Sequence, residues 1–216
     1  MKNCLVIGAG RFGRYTIRKL HELGHQIMVI DRNEERIEKI MNLVSDARIG
    51  DSTNEEFMQS IGINHFDLCI VAIGDDFLAS LETVFLVNEL GAKKIVARAT
   101  TGSQEKFLLR NGAHAVVYPE RQLGSWTAIR YSSDNISNYI ELTDGYSIFE
   151  IAVPRHWDGK KIGELDVRRK YHLNILGIKE DIMNMNISND TVMHYGRNML
   201  VLGKFDDVQK IFQIQR

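Results

Sequence analysis

Apolar and polar positions alternate in blocks along the first half of the chain, and most blocks close on a glycine. Leu5 to Ile7 is a short apolar run that meets Gly8-Ala9-Gly10-Arg11-Phe12-Gly13. Behind it, Ile17, Leu20 and Leu23 fall at helical spacing, and Gly24 follows as a stop signal. Ile27 to Ile30 reads as a second strand. Asn33 is placed to cap the next helix, with Glu34 and Glu35 in its first turn, where the helix dipole favours them. Ile37, Ile40, Met41 and Val44 form the buried stripe expected of that helix. A short strand, Ala47 to Ile49, leads into Gly50-Asp51-Ser52-Thr53. There Thr53-x-x-Glu56 reads as a capping box, and Phe57, Met58 and Ile61 mark a buried face before Gly62.

Leu68 to Ile73 is the most apolar run, as expected of a strand covered on both faces. Gly74-Asp75-Asp76 turns into a helix expected to point Phe77, Leu78, Leu81, Val84 and Phe85 inward and to stop near Gly91. Ile95 to Ala97 is a fifth strand, Lys106 to Arg110 lie on a fifth helix ending at Gly112, and Ala115 to Tyr118 is a sixth strand closed by Pro119-Glu120. Strands that alternate with helices predict right-handed βαβ units and a parallel sheet. In the usual order the first and fourth strands are neighbours, and the loops after Ile7, Ile30, Ile49 and Ile73 gather at one edge, where ligands bind.

The rhythm changes after Glu120. A helix through Leu123, Trp126, Ile129 and Arg130 reaches the polar stretch Ser132-Ser133-Asp134-Asn135. Beyond it, Ser147 to Val153, Asn174 to Ile178 and Met199 to Leu202 read as strands. A short helical segment holds Ile162, Leu165 and Val167, a polar hairpin runs from Asn184 to Asp190, and a last helix covers Asp206 to Phe212. The expected architecture is an α/β, Rossmann-like, doubly wound parallel sheet with a crossover helix over residues 1–133, then a small α+β domain over residues 134–216. A domain of that size is marginal alone, so dimerisation or packing on the first domain is the expected remedy.

Composition narrows the classes. The chain has 216 residues, 44% of them hydrophobic, enough for a packed core, and a formal net charge of −1, which gives no case for nucleic-acid binding. No apolar run approaches the ~20 residues of a membrane span, and no small-residue cleavage site follows an apolar segment; the chain reads as soluble and cytoplasmic. Cys4 and Cys69 fall in expected buried strands and read as small core residues. The seven histidines, among them His21, His25, His172 and His194, show no metal spacing.

The glycine motif carries the chemistry. Gly8 permits the tight turn, Gly10 lets backbone approach a pyrophosphate, and Gly13 lets the helix pack close to the strand. The free N–H groups at the helix start then face the phosphates. Arg11 and Phe12 lie between the last two glycines. The fixed fork of Arg11 suits bidentate phosphate contact; otherwise it is a solvated helix-start arginine. Asp31 ends the second strand near the spacing at which an acidic residue reaches the adenosine ribose, about 20 residues on. Arg32 beside it hints at a 2′-phosphate, which the charge of Asp31 opposes, so NADP is expected to be disfavoured. Asp51, Ser52 and Thr53 stand where an adenine edge is read, although capping explains Thr53 equally well. Ala72, Ile73 and Gly74 are expected to wall the ligand. Arg98 either faces phosphate or is an exposed strand-end arginine.

In this order the residues resemble the regulator-of-potassium-conductance family of cytoplasmic gating proteins, of the KtrA/TrkA type. The resemblance runs through Val6 to Gly13, Ile49 to Thr53, Ile70 to Gly74 and Val117 to Arg121. In the second half it rests on Tyr146 to Glu150 and Leu165 to Tyr171. It implies a nucleotide-binding N-terminal domain and a small C-terminal one. It also implies homodimers that assemble into an octameric ring beneath a membrane potassium channel or transporter subunit, at the inner face of the cell membrane. The implied ligands are ATP and ADP, with NADH in the wider family. Arg11 is implied to reach a terminal phosphate, in its own or a neighbouring subunit, and Glu120 a divalent cation, Mg²⁺ or Ca²⁺. In several relatives cyclic di-AMP binds the C-terminal domain; Arg168, Asn174 and Ile175 are the positions expected to hold it here, an Arg for phosphate and an Asn for a base edge. The hairpin from Asn184 to Asp190 departs from relatives that carry proline there.

Two functions from different classes follow. One is a non-enzymatic nucleotide-binding regulator of potassium transport. The other is an NAD(H)-dependent oxidoreductase, which the glycine motif and Asp31 fit equally well. Against it, the second half offers no His–Asp or Lys–Asp constellation poised against a nicotinamide.

Overall fold

The computed structural model describes residues 1–213, and the chain divides into two compact units, Met1–Gln122 and Leu123–Arg216. The first unit alternates strands and helices: β1 (Asn3–Ile7), α1 (Arg11–Glu22), β2 (Gln26–Asp31), α2 (Glu34–Glu38), β3 (Asp46–Ile49), α3 (Glu55–Ile61), β4 (Leu68–Val71), α4 (Phe77–Glu89), β5 (Ile95–Arg98), α5 (Gly102–Arg110) and β6 (Ala115–Val117). The six strands are parallel, in the order β3-β2-β1-β4-β5-β6. As expected, β1 is the neighbour of β4, and the chain reverses direction across the sheet at that pair. Both faces of the sheet are covered. Leu5, Ile7, Cys69 and Val71 pack on one side with Val84, Val87 and Leu108; Val6, Val29 and Ile70 pack on the other with Ile17, Ile37 and Ile40.

Local chemistry sets the helix ends. Asn33, Asp76 and Thr101 each accept a backbone N–H from the first turn of α2, α4 and α5. Gly24, Gly62, Gly91 and Gly112 take positive φ just past α1, α3, α4 and α5, where the left-handed conformation closes a helix. The capping box expected at Thr53 is absent: α3 is capped by Asn54, whose Oδ1 accepts the N–H of Phe57 at 2.8 Å. Thr53 instead donates both its N–H and its hydroxyl to Asp51 Oδ1, at 2.9 and 2.8 Å. Asparagine caps at least as well as threonine, and the Asp51 turn occupies Thr53.

Two buried faces differ from expectation. On α4 the inward positions are Ser80, Thr83, Val84 and Val87, while Leu78 and Phe85 are 63% and 49% exposed. Apolar residues surround this helix on all sides, so periodicity alone does not fix its rotation. Thr83 is held inward by a 2.8 Å hydroxyl pair with Ser52. Helix α2 ends at Glu38 and gives way to a 3-10 turn over Met41–Leu43, which exposes Met41 and keeps Ile37 and Ile40 buried.

The α6 helix (Pro119–Tyr131) begins in the first unit and continues into the second; the division of the chain falls within it, ahead of the polar stretch at 132–135. The second unit then holds β7 (Ile136–Glu141), β8 (Tyr146–Ala152), α7 (Ile162–Leu165), α8 (Val167–Tyr171), β9 (Asn174–Lys179), β10 (Met183–Asn184), β11 (Asn198–Lys204) and α9 (Phe205–Gln213). Its antiparallel sheet runs β10-β9-β11-β8-β7. Phe149, Ile151, Met199 and Val201 point from the sheet into a core closed by Trp157, Leu165, Val208 and Ile211, which is the expected α+β arrangement. Strand β7 is an addition to the expected elements.

Candidate functional site

The glycine turn shapes the site. Gly8 has φ 100°, and a Cβ there would press on the backbone of Ala72 and Ile73 at 3.2–3.3 Å. Its N–H donates to the Ile30 carbonyl at 2.7 Å, tying the end of β1 to β2. A Cβ on Gly13 would collide with the Gly8 carbonyl oxygen, so only glycine lets α1 lean this close on the turn. Gly10 is the N-cap of α1 and supplies no side-chain cap; a Cβ there would meet nothing within 4 Å. The first-turn N–H groups of a helix have no acceptor within it, so here they face open space that an anion can fill.

Asp31, 6% exposed at the end of β2, fixes the same turn. Its Oδ2 accepts the N–H of Ala9 at 2.6 Å, and its Oδ1 accepts the N–H of Asn33 at 2.8 Å. Arg36 stands 3.7 Å from Oδ2. Asp31 therefore braces the glycine turn.

A cavity of about 680 Å³ opens along the carboxyl edge of the sheet, within the range of roughly 300–1,000 Å³ usual for small-molecule sites. Of the residues expected from the sequence, Gly8, Gly10, Arg11, Phe12, Asp31, Arg32, Asp51, Ser52, Ala72, Ile73, Gly74, Arg98 and Glu120 line it. Gly13 and Thr53 do not; Gly13 acts through packing and Thr53 through Asp51. The Asp51 carboxyl is held below its ordinary value by the two bonds from Thr53. Tyr15 and Arg36 also line the cavity and were not expected. Their signals were available: Tyr15 lies one turn after Arg11 on α1, and Arg36 lies in the first turn after the Asn33 cap.

Arg98 is the most enclosed cation of the site. Its side chain is 18% exposed, its Nη2 donates to Glu120 Oε1 at 2.6 Å, and its guanidinium carbon lies 5.7 Å from the centre of the Phe12 ring. A Cβ on Gly74 would collide with Arg98 Nη1. Arg98 Nε is buried and makes no hydrogen bond among the described residues. The Glu120 carboxyl is held below its ordinary value by its own backbone N–H, by the Arg98 bond and by the charges of Arg98 and Arg11, against an opposing push from desolvation.

In the second unit, Arg168 on α8 and Asn174 at the start of β9 are brought together, with Arg168 Nε donating to Asn174 Oδ1 at 2.6 Å. Ile175 is half-buried against the core. Among the described residues no three His, Cys, Asp or Glu side chains cluster as a metal site, and no helix is long and apolar enough to cross a membrane. Cys4 and Cys69 are free and buried in β1 and β4.

A glycine turn braced by an acidic strand end, on a six-stranded parallel sheet with a large cavity at its carboxyl edge, defines a Rossmann-type nucleotide-binding fold, here followed by a small antiparallel-sheet unit. The chain belongs to the TrkA family: residues 4–119 match the TrkA-N domain and residues 146–216 the TrkA-C domain. It is 34% identical to Ktr system potassium uptake protein C of Bacillus subtilis (strain 168), over 97% of this chain and 95% of that protein. To Ktr system potassium uptake protein A of the same organism it is 39% identical, over 82% and 80%. The GsuK channel bound to NAD shares the fold, with a TM-score of 0.68 at 21% identity; the match covers 95% of this chain and 38% of that longer one. The chain is thus homologous to the Ktr and Trk potassium uptake proteins, in agreement with the resemblance drawn from its motifs.

Proposed function

We propose that this chain is a nucleotide-binding regulatory subunit of a potassium uptake system and is not itself an enzyme. The cavity at the carboxyl edge carries this reading. Its glycine turn and the start of α1 suit a phosphate chain, and Arg11 and Arg98 supply the counter-charge. Asp31 and Asp51 stand at the ribose and adenine ends. We take ATP and ADP as the ligands, with NADH as the weaker alternative. The lining is rich in arginine and carboxylate and includes neither histidine nor lysine, which favours a sensor over an NAD(H)-dependent oxidoreductase.

A cation fits in a restricted sense. Mg²⁺ commonly takes one or two carboxylates and completes its shell with phosphate oxygens and water, and Glu120 is a half-exposed carboxylate beside the phosphate end of the cavity. Glu120 would hold Mg²⁺ or Ca²⁺, and the cation would neutralise phosphate charge there. In the second unit, the Arg168–Asn174 pair beside Ile175 is our candidate for cyclic di-AMP. The working assembly in this reading is a homodimer built into an octameric ring, docked on a membrane channel or transporter subunit at the cytoplasmic face. Residues 1–133 bind nucleotide and residues 134–216 form the second functional domain. Nucleotide shifts such a ring only if it binds one ring geometry more tightly than another.

The test is a thermal-shift panel on the full chain with ATP, ADP, NADH, NADPH and cyclic di-AMP, with and without Mg²⁺. A ligand at a hundred times its Kd adds about 2.7 kcal/mol of stability. The expected result is a clear shift with ATP and ADP, a smaller one with NADH, and loss of the ATP shift in Arg11→Ala. A shift confined to NADH or NADPH would overturn the ATP-sensing reading.

A further inference from the structure

Among the cations lining the cavity, Arg98 is built in most firmly, and its partner is not. The guanidinium sits against the bare backbone of Gly74 and beside the Phe12 ring, with its side chain 18% exposed. Glu120 reaches it from the first turn of α6 with a side chain that is 53% exposed. One member of the pair is thus fixed in the wall, and the other is an arm open to solvent. The carboxylate oxygen lies 2.6 Å from Arg98 Nη2, the distance and charge that a phosphate oxygen would present. Both residues line the same cavity as the start of α1.

We propose that Arg98 is a phosphate-reading residue that Glu120 masks, so that a nucleotide phosphate engages Arg98 only by displacing the Glu120 carboxylate. This deepens the nucleotide reading above and rests on it. Glu120 acts as an internal anion that sets the threshold of the site: a ligand must offer Arg98 a better anion than the chain already supplies. The released carboxylate is then free in the cavity, where the positive charge of Arg11 or a cation can receive it. A ligand whose charge does not reach Arg98 leaves the pair closed.

The geometry gives the exchange an asymmetry. Displacing a solvent-exposed carboxylate costs little, because water takes over its solvation. Leaving the enclosed guanidinium without an anion costs more. Phosphate is therefore favoured as a replacement for Glu120, whereas simple opening of the pair is not.

The experiment is calorimetric titration of the full chain with ATP and ADP in EDTA, comparing wild type, Glu120→Gln, Arg98→Gln and the double variant. Unliganded melting curves establish that each variant is folded. Glu120→Gln is expected to tighten the better-bound nucleotide roughly fivefold, the worth of a half-exposed ion pair. Arg98→Gln weakens it, and adding Glu120→Gln to Arg98→Gln gives no further gain. Arg98→Lys, which keeps the charge but loses the fork, is expected to recover part of the loss. Weaker or unchanged binding in Glu120→Gln overturns masking, as does the same gain with and without Arg98, which would mean general repulsion. If an unfolded Arg98→Gln prevents that comparison, the Glu120→Gln gain is measured in Arg98→Lys, where masking requires it to shrink. Failure of the wild-type chain to bind either nucleotide refutes the ATP and ADP reading itself, a result distinct from binding that ignores Glu120.

Discussion

The carboxylate of Asp31 grips the backbone N–H of Ala9 at 2.6 Å, so the acidic end of β2 holds the middle of the glycine turn that follows β1. Asp31 is buried, and a second N–H, from Asn33, reaches its other oxygen. In Asp31→Asn the new NH₂ must face one of two N–H donors. A lost charged hydrogen bond costs about 2 kcal/mol, and the turn loosens with it. The expected outcome is a lower urea midpoint together with weaker binding of every nucleotide. Arg36→Ala, which removes a partly exposed partner 3.7 Å away, is expected to cost less than about 1 kcal/mol.

Gly13 and Gly10 separate fold from ligand. Gly13→Ala forces a methyl group against the Gly8 carbonyl oxygen and is expected to destabilise the first unit by about 3 kcal/mol, at the upper end of overpacking costs. Gly10→Ala adds a methyl group where nothing lies within 4 Å. It should leave the melting temperature of the unliganded chain within a few degrees of wild type while reducing nucleotide affinity. Melting curves with and without ATP distinguish the two.

In the second unit, Glu150 accepts hydrogen bonds from Lys179 and Asn198 at 2.8 and 2.9 Å, and these hold its carboxyl below the ordinary value. A carboxylate whose folded pKa is depressed stabilises the fold fully above its unfolded value, and that contribution is lost as pH falls through the folded one. Glu150→Gln should therefore lower stability by about 1–2 kcal/mol at pH 7. The gap between variant and wild type should close as pH drops below about 4.5. Urea melts at pH 7, 5 and 3.5 test this.

Burial pushes the Cys69 thiol up to about 12. At pH 8 only about one such thiol in ten thousand is ionised, and the thiolate is the reactive form. Native protein should resist thiol-labelling reagents at Cys69 on the timescale of minutes and become reactive in denaturant.

The parallel sheet was legible in the sequence because βαβ units write themselves twice, once in apolar runs and once in the glycines that end their helices. The cavity was legible for the same reason: the loops that build it follow Ile7, Ile30, Ile49 and Ile73. Strand β7 was not, because Ile136, Ser137, Asn138, Tyr139, Ile140 and Glu141 alternate poorly, and the ladder slips between Ile136 and Asn138 where it pairs with β8. The rotation of α4 was illegible too. Its inward Ser80 and Thr83 look like surface residues until the Ser52 hydroxyl is seen to meet Thr83. Thr53 shows a third kind of miss, in which two neighbouring residues both fit one local role and a contact further back decides between them. Pairing of Arg98 with Glu120 depends on how β5 and β6 end side by side in the sheet, which no local pattern encodes.

The close approach of Gly74 to Arg98 binds the fates of two positions far apart in the chain. Any side chain at residue 74 must push the guanidinium from its seat. A descendant that keeps the arginine inherits the glycine with it, and one that abandons the arginine is released to fill the space. Across divergent lineages the two should be kept or lost together, so that residue 74 records whether position 98 still carries its charge.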